Sequence, residues 1–468
     1  MSRFASIPVL FAPSAAVLFL LTLGFSSPPG ASAMESVDFS QAVARALENN
    51  ASVQAAAEEA AAARNDADAA RGHLLPSVRF EEKFVRTTVP AEAFGLKMNQ
   101  ENLLSSDFAD VRNFNSPPPR NDFIGTLSLE QPIFAPKAYF GYGMAKVEAD
   151  AKGKDLLRRK EDAVYRVVAA VLDVVTARQF VDVAGQGLSD AREHLRIAES
   201  LEAAGMGISS DTLRAKVAVA SAESAKVTAE SRLEIARRSL ALAMGVPGAP
   251  PVDVVGPPPE FPDPGPAPAG GSVPAGRADL LASSLRVGNA GSNVRLRRSG
   301  YLPDVGFAAA YQVDAEDSPF SPDNRSWKVG VGLTWNLFDG MRREAELGKA
   351  AAELRRARAY DRGVRDRAAF EAAQADLGVK EATLRAEIAR AALASAEEGV
   401  RLLASRYENR LGRMVDLLDA QTALDGARAA RIRAENDVRL SRAQRLYASG
   451  GLLSLVAPNA ENGKEKIR

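Results

Sequence analysis

The residues best placed for site chemistry are two aspartates one helical turn apart, Asp416 and Asp419, in the run Tyr407-Glu-Asn-Arg-Leu-Gly-Arg-Met-Val-Asp416-Leu-Leu-Asp419-Ala-Gln421. Spacing of i, i+3 puts both carboxylates on one helix face, where together they attract cations. The plainer role of an aspartate in a first helical turn is to complement the helix dipole. Adjacent acids at Glu58-Glu59 and Glu397-Glu398 read as solvated helix faces. Other chemistry is poorly supplied. There is no cysteine, which excludes disulfides, thiolate metal sites, cysteine nucleophiles and a lipid anchor on an N-terminal cysteine. His73 and His194 are the only histidines, too few for a histidine-rich metal site. Gly348-Lys349-Ala350 lacks the spaced glycine and the hydroxyl of a phosphate loop, and Gly141-x-Gly143 lacks the third glycine and the following acid. Neither G-x-S-x-G nor H-E-x-x-H occurs. No catalytic residue, cofactor-binding residue or metal ligand is assigned, and no enzyme activity is expected. The 59 basic and 59 acidic side chains cancel, so no bulk field draws nucleic acid or an anionic membrane surface.

The elements that must position Asp416 and Asp419 are very long helices in a chain built from two copies of one pattern. Arg71-Gly-His-Leu-Leu-Pro76-Ser-Val78 recurs as Arg298-Ser-Gly-Tyr-Leu-Pro303-Asp-Val305, an offset of 227. Gln131-Pro-Ile-Phe134 recurs loosely as Trp335-Asn-Leu-Phe338, an offset of 204, and Gly207-Ile-Ser-Ser-Asp211-Thr-Leu213 recurs as Gly412-Arg-Met-Val-Asp416-Leu-Leu418, an offset of 205. Each copy reads helix, strand, loop, strand, very long helix, turn, helix. The long runs, about Lys137 to Ala204 and Met341 to Arg410, contain no proline. Val164, Val168, Val171 and Val175 share one face of the first. At about 1.5 Å per residue each run spans roughly 100 Å, a length that implies a coiled coil or helical barrel.

The strands alternate. Val78, Phe80 and Phe84 oppose Arg79, Glu81 and Lys83, while Phe123, Leu127 and Leu129 oppose Thr126, Ser128 and Glu130. In the second copy Val305, Phe307, Ala309, Tyr311 and Val313 alternate with small or polar residues, as do Val329, Val331, Leu333, Trp335 and Leu337. This period suits a half-buried sheet and a transmembrane barrel alike. The loops between the paired strands, about Val89–Asn121 and Asp314–Ser326, are rich in Asn, Pro and Asp and suit exposed tips. The first 33 residues read as a signal peptide: Arg3, an apolar stretch from Ile7 to Phe25, then Ala31-Ser-Ala33 before Met34. The expected organisation is signal peptide 1–33, first repeat 34–246, proline-rich connector 247–276, second repeat 277–457 and a disordered polar tail 458–468. No later stretch has the roughly 18–20 apolar residues of a spanning helix, so a membrane location would require a β-barrel.

The ordered set of motifs resembles the TolC-like outer-membrane factor family over nearly all of the mature chain. It is carried by the opening helix from Asp38, the Leu75-Pro76 and Leu302-Pro303 pair, Gln131-Pro-Ile-Phe134 and, above all, the run from Tyr407 to Gln421. Four strands per subunit leave two unpaired edges that lipid cannot satisfy, so closure requires neighbouring copies. The number three comes from the resemblance. It implies an α+β membrane protein, a homotrimer whose twelve-stranded β-barrel runs into a long periplasmic α-helical barrel, with the connector and short terminal helices forming an equatorial belt. The implied role is passive: a channel subunit of a tripartite efflux or type I secretion system in the outer membrane, served by a periplasmic adaptor protein and an inner-membrane transporter. A periplasmic adaptor with coiled-coil hairpins is the alternative. It fits less well because adaptors typically carry one hairpin and this chain has two.

The resemblance also assigns residues. Asp416 and Asp419 match an acidic pair at a pore constriction. The first copy retains Asp211 opposite Asp416 but has Arg214 opposite Asp419, so capping explains only the shared aspartate. Tyr407, opposite Glu202, matches a tyrosine that holds the inner coils shut. Arg410 occupies the usual tip-glycine position and Gly412 a position where a gating arginine can occur, a departure for which Arg410 or Arg413 can substitute. The tips, with Gly205, Met206 and Gly207 in one copy and Leu411 and Gly412 in the other, are the expected adaptor-docking surface.

Overall fold

The computed structural model describes residues 35–246, 248, 251–263, 276–321 and 324–457; the expected signal peptide and polar tail lie outside these residues. The first copy begins with a two-residue strand, β1 (Ser36–Val37), then α1 (Phe39–Asn49) and α2 (Ala51–Gly72). The single opening helix expected from Asp38 is thus broken. Asn50 turns out of helical geometry (φ −66°, ψ 119°) and caps α2, its side chain accepting from the Ser52 N–H at 3.0 Å. Next come β2 (Ser77–Thr87), α3 (Pro90–Asn99), a short 3₁₀ turn, α4 (Arg112–Asn115), β3 (Arg120–Phe134), α5 (Pro136–Ala203) and α6 (Ser209–Ala243). After β4 (Asp253–Val254), the second copy supplies α7 (Ala278–Ser299), β5 (Asp304–Ala315), β6 (Asn324–Thr334), α8 (Arg342–Glu408), α9 (Met414–Ser449) and α10 (Leu452–Val456).

The paired motifs have a mechanical reason. Pro76 and Pro303 cannot continue a helix and bias the residue before them towards extended backbone, so α2 and α7 stop and β2 and β5 begin one residue after each proline. β2, β3, β5 and β6 form one antiparallel sheet in that order, leaving β2 and β6 as edges. Pro132, with no N–H to give, lies past the point where β2 pairs with β3, and the β3–β5 register shifts beside it. β6 ends at Thr334, so Trp335 and Leu337 fall outside the strand expected to include them. The carbonyls of Asn336 and Leu337 instead accept from the Arg343 guanidinium at 2.9 Å each.

Register sorts the faces. Phe80, Leu127, Tyr311 and Trp327 form one rung, and Val78, Leu129, Ala309 and Val329 the next on the same side. Arg79, Ser128, Ala310 and Lys328 lie on the other side. The apolar face is open: Trp327 is 77% exposed and Val331 67%. No described helix is long and apolar enough to cross a membrane.

α5, of 68 residues, is the axis of the chain. Towards the sheet it packs between α2 and α7, with α8 beyond α7; towards the hairpin tips it packs between α6 and α9, with α8 beyond α9. The main core lies where these halves meet. There Val164, Val167, Val168 and Val171 of α5 pack against Val43, Leu240, Met244, Val254, Phe261 and Leu452. The connector contributes β4, paired in parallel with β1, within a segment otherwise free of regular structure among its described residues.

Asp253 of β4 ties this belt to the helices, accepting from Arg237 at 2.6 Å and from Arg178. Burial alone would raise its pKa, but hydrogen bonds from Arg237, the Val254 N–H and Arg178 outweigh burial and hold it below the ordinary aspartate value. A depressed carboxylate stabilises the fold above its unfolded pKa, and that contribution fades as pH falls through the lower folded value. Hydrogen-exchange protection of β1 and β4 is therefore expected to weaken only below about pH 4. Asp253→Asn should weaken it at neutral pH, by about 1–3 kcal/mol. Unchanged exchange in that variant would show the triad to be idle.

Candidate functional site

Both hairpin tips are closed by the same backbone device. The Met206 N–H donates to the Leu201 carbonyl at 2.9 Å and the Gly205 N–H to Glu202 at 2.9 Å. In the second hairpin the Leu411 N–H donates to Arg406 at 2.7 Å and the Arg410 N–H to Tyr407 at 3.0 Å. These are Schellman closures, whose pivot residue must be left-handed. Gly205 meets that demand at φ +69°, whereas Arg410 takes φ +62° with a full side chain. A left-handed non-glycine costs about 1–2 kcal/mol. Its guanidinium reaches Met206 Sδ at 2.8 Å, so the strained residue links the two tips. Arg410→Gly is expected to stabilise the second tip by about 1 kcal/mol, read as slower hydrogen exchange at residues 409–413. Faster exchange would mean that the contact with Met206 outweighs the strain.

Asp416 lies in the first turn of α9 and accepts two bonds from Arg413, at 2.8 and 3.1 Å. The hydrogen bond from Arg413 holds its carboxyl below the usual range. Asp419 is one turn further on and exposed. Tyr407 is buried in a small core with Ala198, Ala215, Met414 and Leu417. Burial, and then the charge of Asp211, raise its phenol. Among the described residues its hydroxyl makes no hydrogen bond within the chain, whereas its counterpart Glu202 accepts from Thr212 Oγ1 at 2.5 Å. Met206 and Leu411 are exposed at the ends of the hairpins. Gly207 and Gly412 lie tight against the preceding helical turns: a Cβ on Gly207 would lie 2.9 Å from the Glu202 nitrogen.

A polar link between the hairpins escaped the sequence reading. Gln421 donates to Asp190 at 3.0 Å and to Asp425 at 3.2 Å, while Arg428 pairs with Asp190 at 3.3 Å and with Asp425 at 3.4 Å. Burial raises the Asp425 carboxyl despite Arg428. Gln421, Asp425 and Arg428 follow i, i+4, i+7 spacing, a sequence signal for one shared face. Further from the tips, Asn436 donates to Thr176 at 2.8 Å and to Gln179 at 3.1 Å. The first and second hairpins are thus joined at the tips, at Asp190 and at Asn436.

These features define a class: an elongated protein with an amphipathic antiparallel sheet at one end and paired helical hairpins, with carboxylates at a tip, at the other. The profile of the outer membrane efflux protein family matches residues 42–246 and 272–452, and the chain belongs to that family. An outer-membrane location goes with the membership. The outer membrane efflux protein BepC of Brucella suis is 27% identical over 325 residues, covering 65% of this chain and 67% of BepC. The fold is shared with solved structures. The outer membrane protein VceC of Vibrio cholerae has TM-score 0.72 at 18% identity, over 88% of this chain and 96% of that one. The outer membrane channel CmeC of Campylobacter jejuni has TM-score 0.73 at 17% identity, over 97% of each chain. These matches support the channel expectation and not the adaptor alternative.

Proposed function

We infer that this chain is the outer-membrane channel subunit of a tripartite efflux or type I secretion system, and that three copies close into one conduit. The observation that carries the reading is that the subunit is four elements wide along its length and open on both flanks. The sheet ends at unpaired β2 and β6 edges. The helical layer ends on α6 and α8, whose outward faces carry exposed apolar stripes. Leu213, Val217, Val227, Ile235 and Leu242 form the stripe on α6, and Phe370, Leu377, Leu384 and Ile388 the stripe on α8. Unpaired edges in lipid and solvated apolar stripes are both unstable alone, and a neighbouring copy covers both. Three copies give twelve strands, continued by a helical barrel across the periplasm. The described connector residues 251–263 contribute to its belt.

In this arrangement the tips point to the inner membrane and offer Gly205, Met206, Gly207, Leu411 and Gly412 to a periplasmic adaptor. Asp416 and Asp419 line the constriction, and Tyr407, Arg410 and Arg413 are the candidate gate. Arg410 acts by bridging hairpins and Tyr407 by packing within the tip core. Substrate handed over by a pump diffuses through the conduit, and the pump supplies the energy. The test is extraction into detergent followed by gel analysis and planar-bilayer recording. A trimer that dissociates only on heating and conducts ions is the expected result; a water-soluble monomer sinks the reading.

A further inference from the structure

The loop between β2 and β3 folds back on the polar face of the sheet. Phe94, Phe108 and Phe114 give it a small core of its own, with ring centroids 5.1 to 6.0 Å apart. Lys97 holds Asp107 at 2.7 Å. At its base Gln100, 2% exposed, donates to the Asn121 carbonyl at 2.8 Å and to Asp122 Oδ1 at 3.0 Å. Asp122 is fully buried and Asp314, on the same face of neighbouring β5, is 1% exposed. The two carboxyls lie close enough to interact directly, and the Ala315 backbone amide also bears on Asp122.

Three facts make this cluster unusual. Among the described residues no lysine or arginine pairs with Asp122 or Asp314; the nearby Arg120 is spent on Glu316 at 3.4 Å, and Arg86 on Asn121 at 3.2 Å. Two buried oxygens, Asp122 Oδ2 and Gln100 Oε1, have no hydrogen-bond partner. The remaining donor, Gln312 Nε2, is divided between the two oxygens of Asp314 at 2.9 and 3.1 Å. Two adjacent buried carboxylates without a counter-ion are strongly unfavourable. A shared proton would satisfy the carboxyl pair but leave Gln100 Oε1 orphaned. A cation between the carboxyls removes the repulsion, and Asp122 Oδ2 and Gln100 Oε1, buried on neighbouring side chains, are the oxygens free to hold it.

We propose that Asp122, Asp314 and Gln100 form a binding site for a hard divalent cation, calcium in the first instance, that pins the loop of residues 88–119 across the outer mouth of the channel. An all-oxygen donor set of carboxylates and an amide carbonyl suits calcium or magnesium and not the softer transition metals. The site joins the loop to two strands, so occupancy holds the loop over the polar face and its loss lets the mouth widen. Only the words "outer mouth" rest on the channel reading; the cation site stands on the cluster itself.

Hydrogen exchange of amides 91–101 in the purified full-length protein in detergent tests it, with calcium chloride, magnesium chloride or EDTA at one neutral pH. For an affinity typical of extracellular calcium modules, near 10⁻³ M, about 10 mM calcium should slow loop opening roughly tenfold. Asp122→Asn with Asp314→Asn should abolish the response. Gln100→Leu, which leaves both strands unaltered, should shift its midpoint to several-fold higher calcium. Exchange equally fast with calcium and with EDTA in the unmodified protein overturns the proposal, as does a calcium response that survives in the Asp122→Asn, Asp314→Asn variant. Neither outcome touches the trimer and conductance measurements, so failure of the site and failure of the channel reading are separately visible.

Discussion

Val331→Lys is expected to abolish recovery of the heat-modifiable trimer, while Gly330→Lys, one residue away, leaves it intact. Both lie in edge strand β6, but on opposite faces. Val331 shares its face with Trp327, Val329 and Leu333, and lies midway between Trp327 and Trp335 along the chain. Aromatic residues at both ends of an apolar band mark the two interfaces of a membrane barrel, which puts Val331 near the midplane. In the proposed barrel a lysine there would cost about 2–4 kcal/mol, incurred once in each of three subunits. Gly330 pairs with Ala308 on the polar face, and a Cβ built on it meets no atom within 4 Å. A lysine at that position points into water. Its expected mark is reduced cation conductance in bilayers with normal trimer yield. Equal loss of trimer in both variants would mean that the two faces are not lipid and lumen.

How well the sequence foretold this fold depended on the range of the interactions involved. Local signals worked. Proline after a paired Leu stopped α2 and α7, proline-free runs became α5 and α8, and the valine stripe of α5 is buried as its spacing requires. What depended on distant partners was missed. The break at Asn50 is explained by Gly245, 195 positions on, whose left-handed turn packs on the Asn49 backbone so closely that a Cβ would lie 2.5 Å away. The loop of 88–119 reads as a polar tip, yet it holds α3, because Ala93 and Leu96 find cover and Pro90 suits a first helical turn. Glu82 breaks the alternation by sitting on the apolar face between Phe80 and Phe84. It is accommodated because Gly125 opposite has no side chain; a Cβ there would come within 2.8 Å of Glu82 Oε2. At the tips, the constant offset of 205 aligns Arg410 with Gly205 and so exposes the left-handed arginine. The offset could not expose the link of Asp190 to Gln421 and Arg428, which joins different hairpins.

Replacing both Asp416 and Asp419 by alanine is expected to reverse the ion preference of the channel, not merely to weaken it. The reason is Arg413, which grips Asp416 at 2.8 Å from the residue before the helix. Counting it, residues 413–419 of the proposed constriction carry one net negative charge with both aspartates present, and one net positive charge without them. In the proposed threefold ring that change would invert the field an ion must cross. Permeability for cations over anions should fall by about tenfold or more and pass through unity, and block by divalent cations should disappear. Asp419→Ala alone removes the carboxylate that Arg413 does not neutralise, and should bring the preference near parity. Restoring balance with Arg413→Ala in the double variant should return the channel to weak selectivity, which a purely structural role for the aspartates would not do. Reversal potentials in a salt gradient give the answer directly. If all four proteins share one reversal potential, Asp416 and Asp419 do not face the conduit, and their work is confined to starting α9.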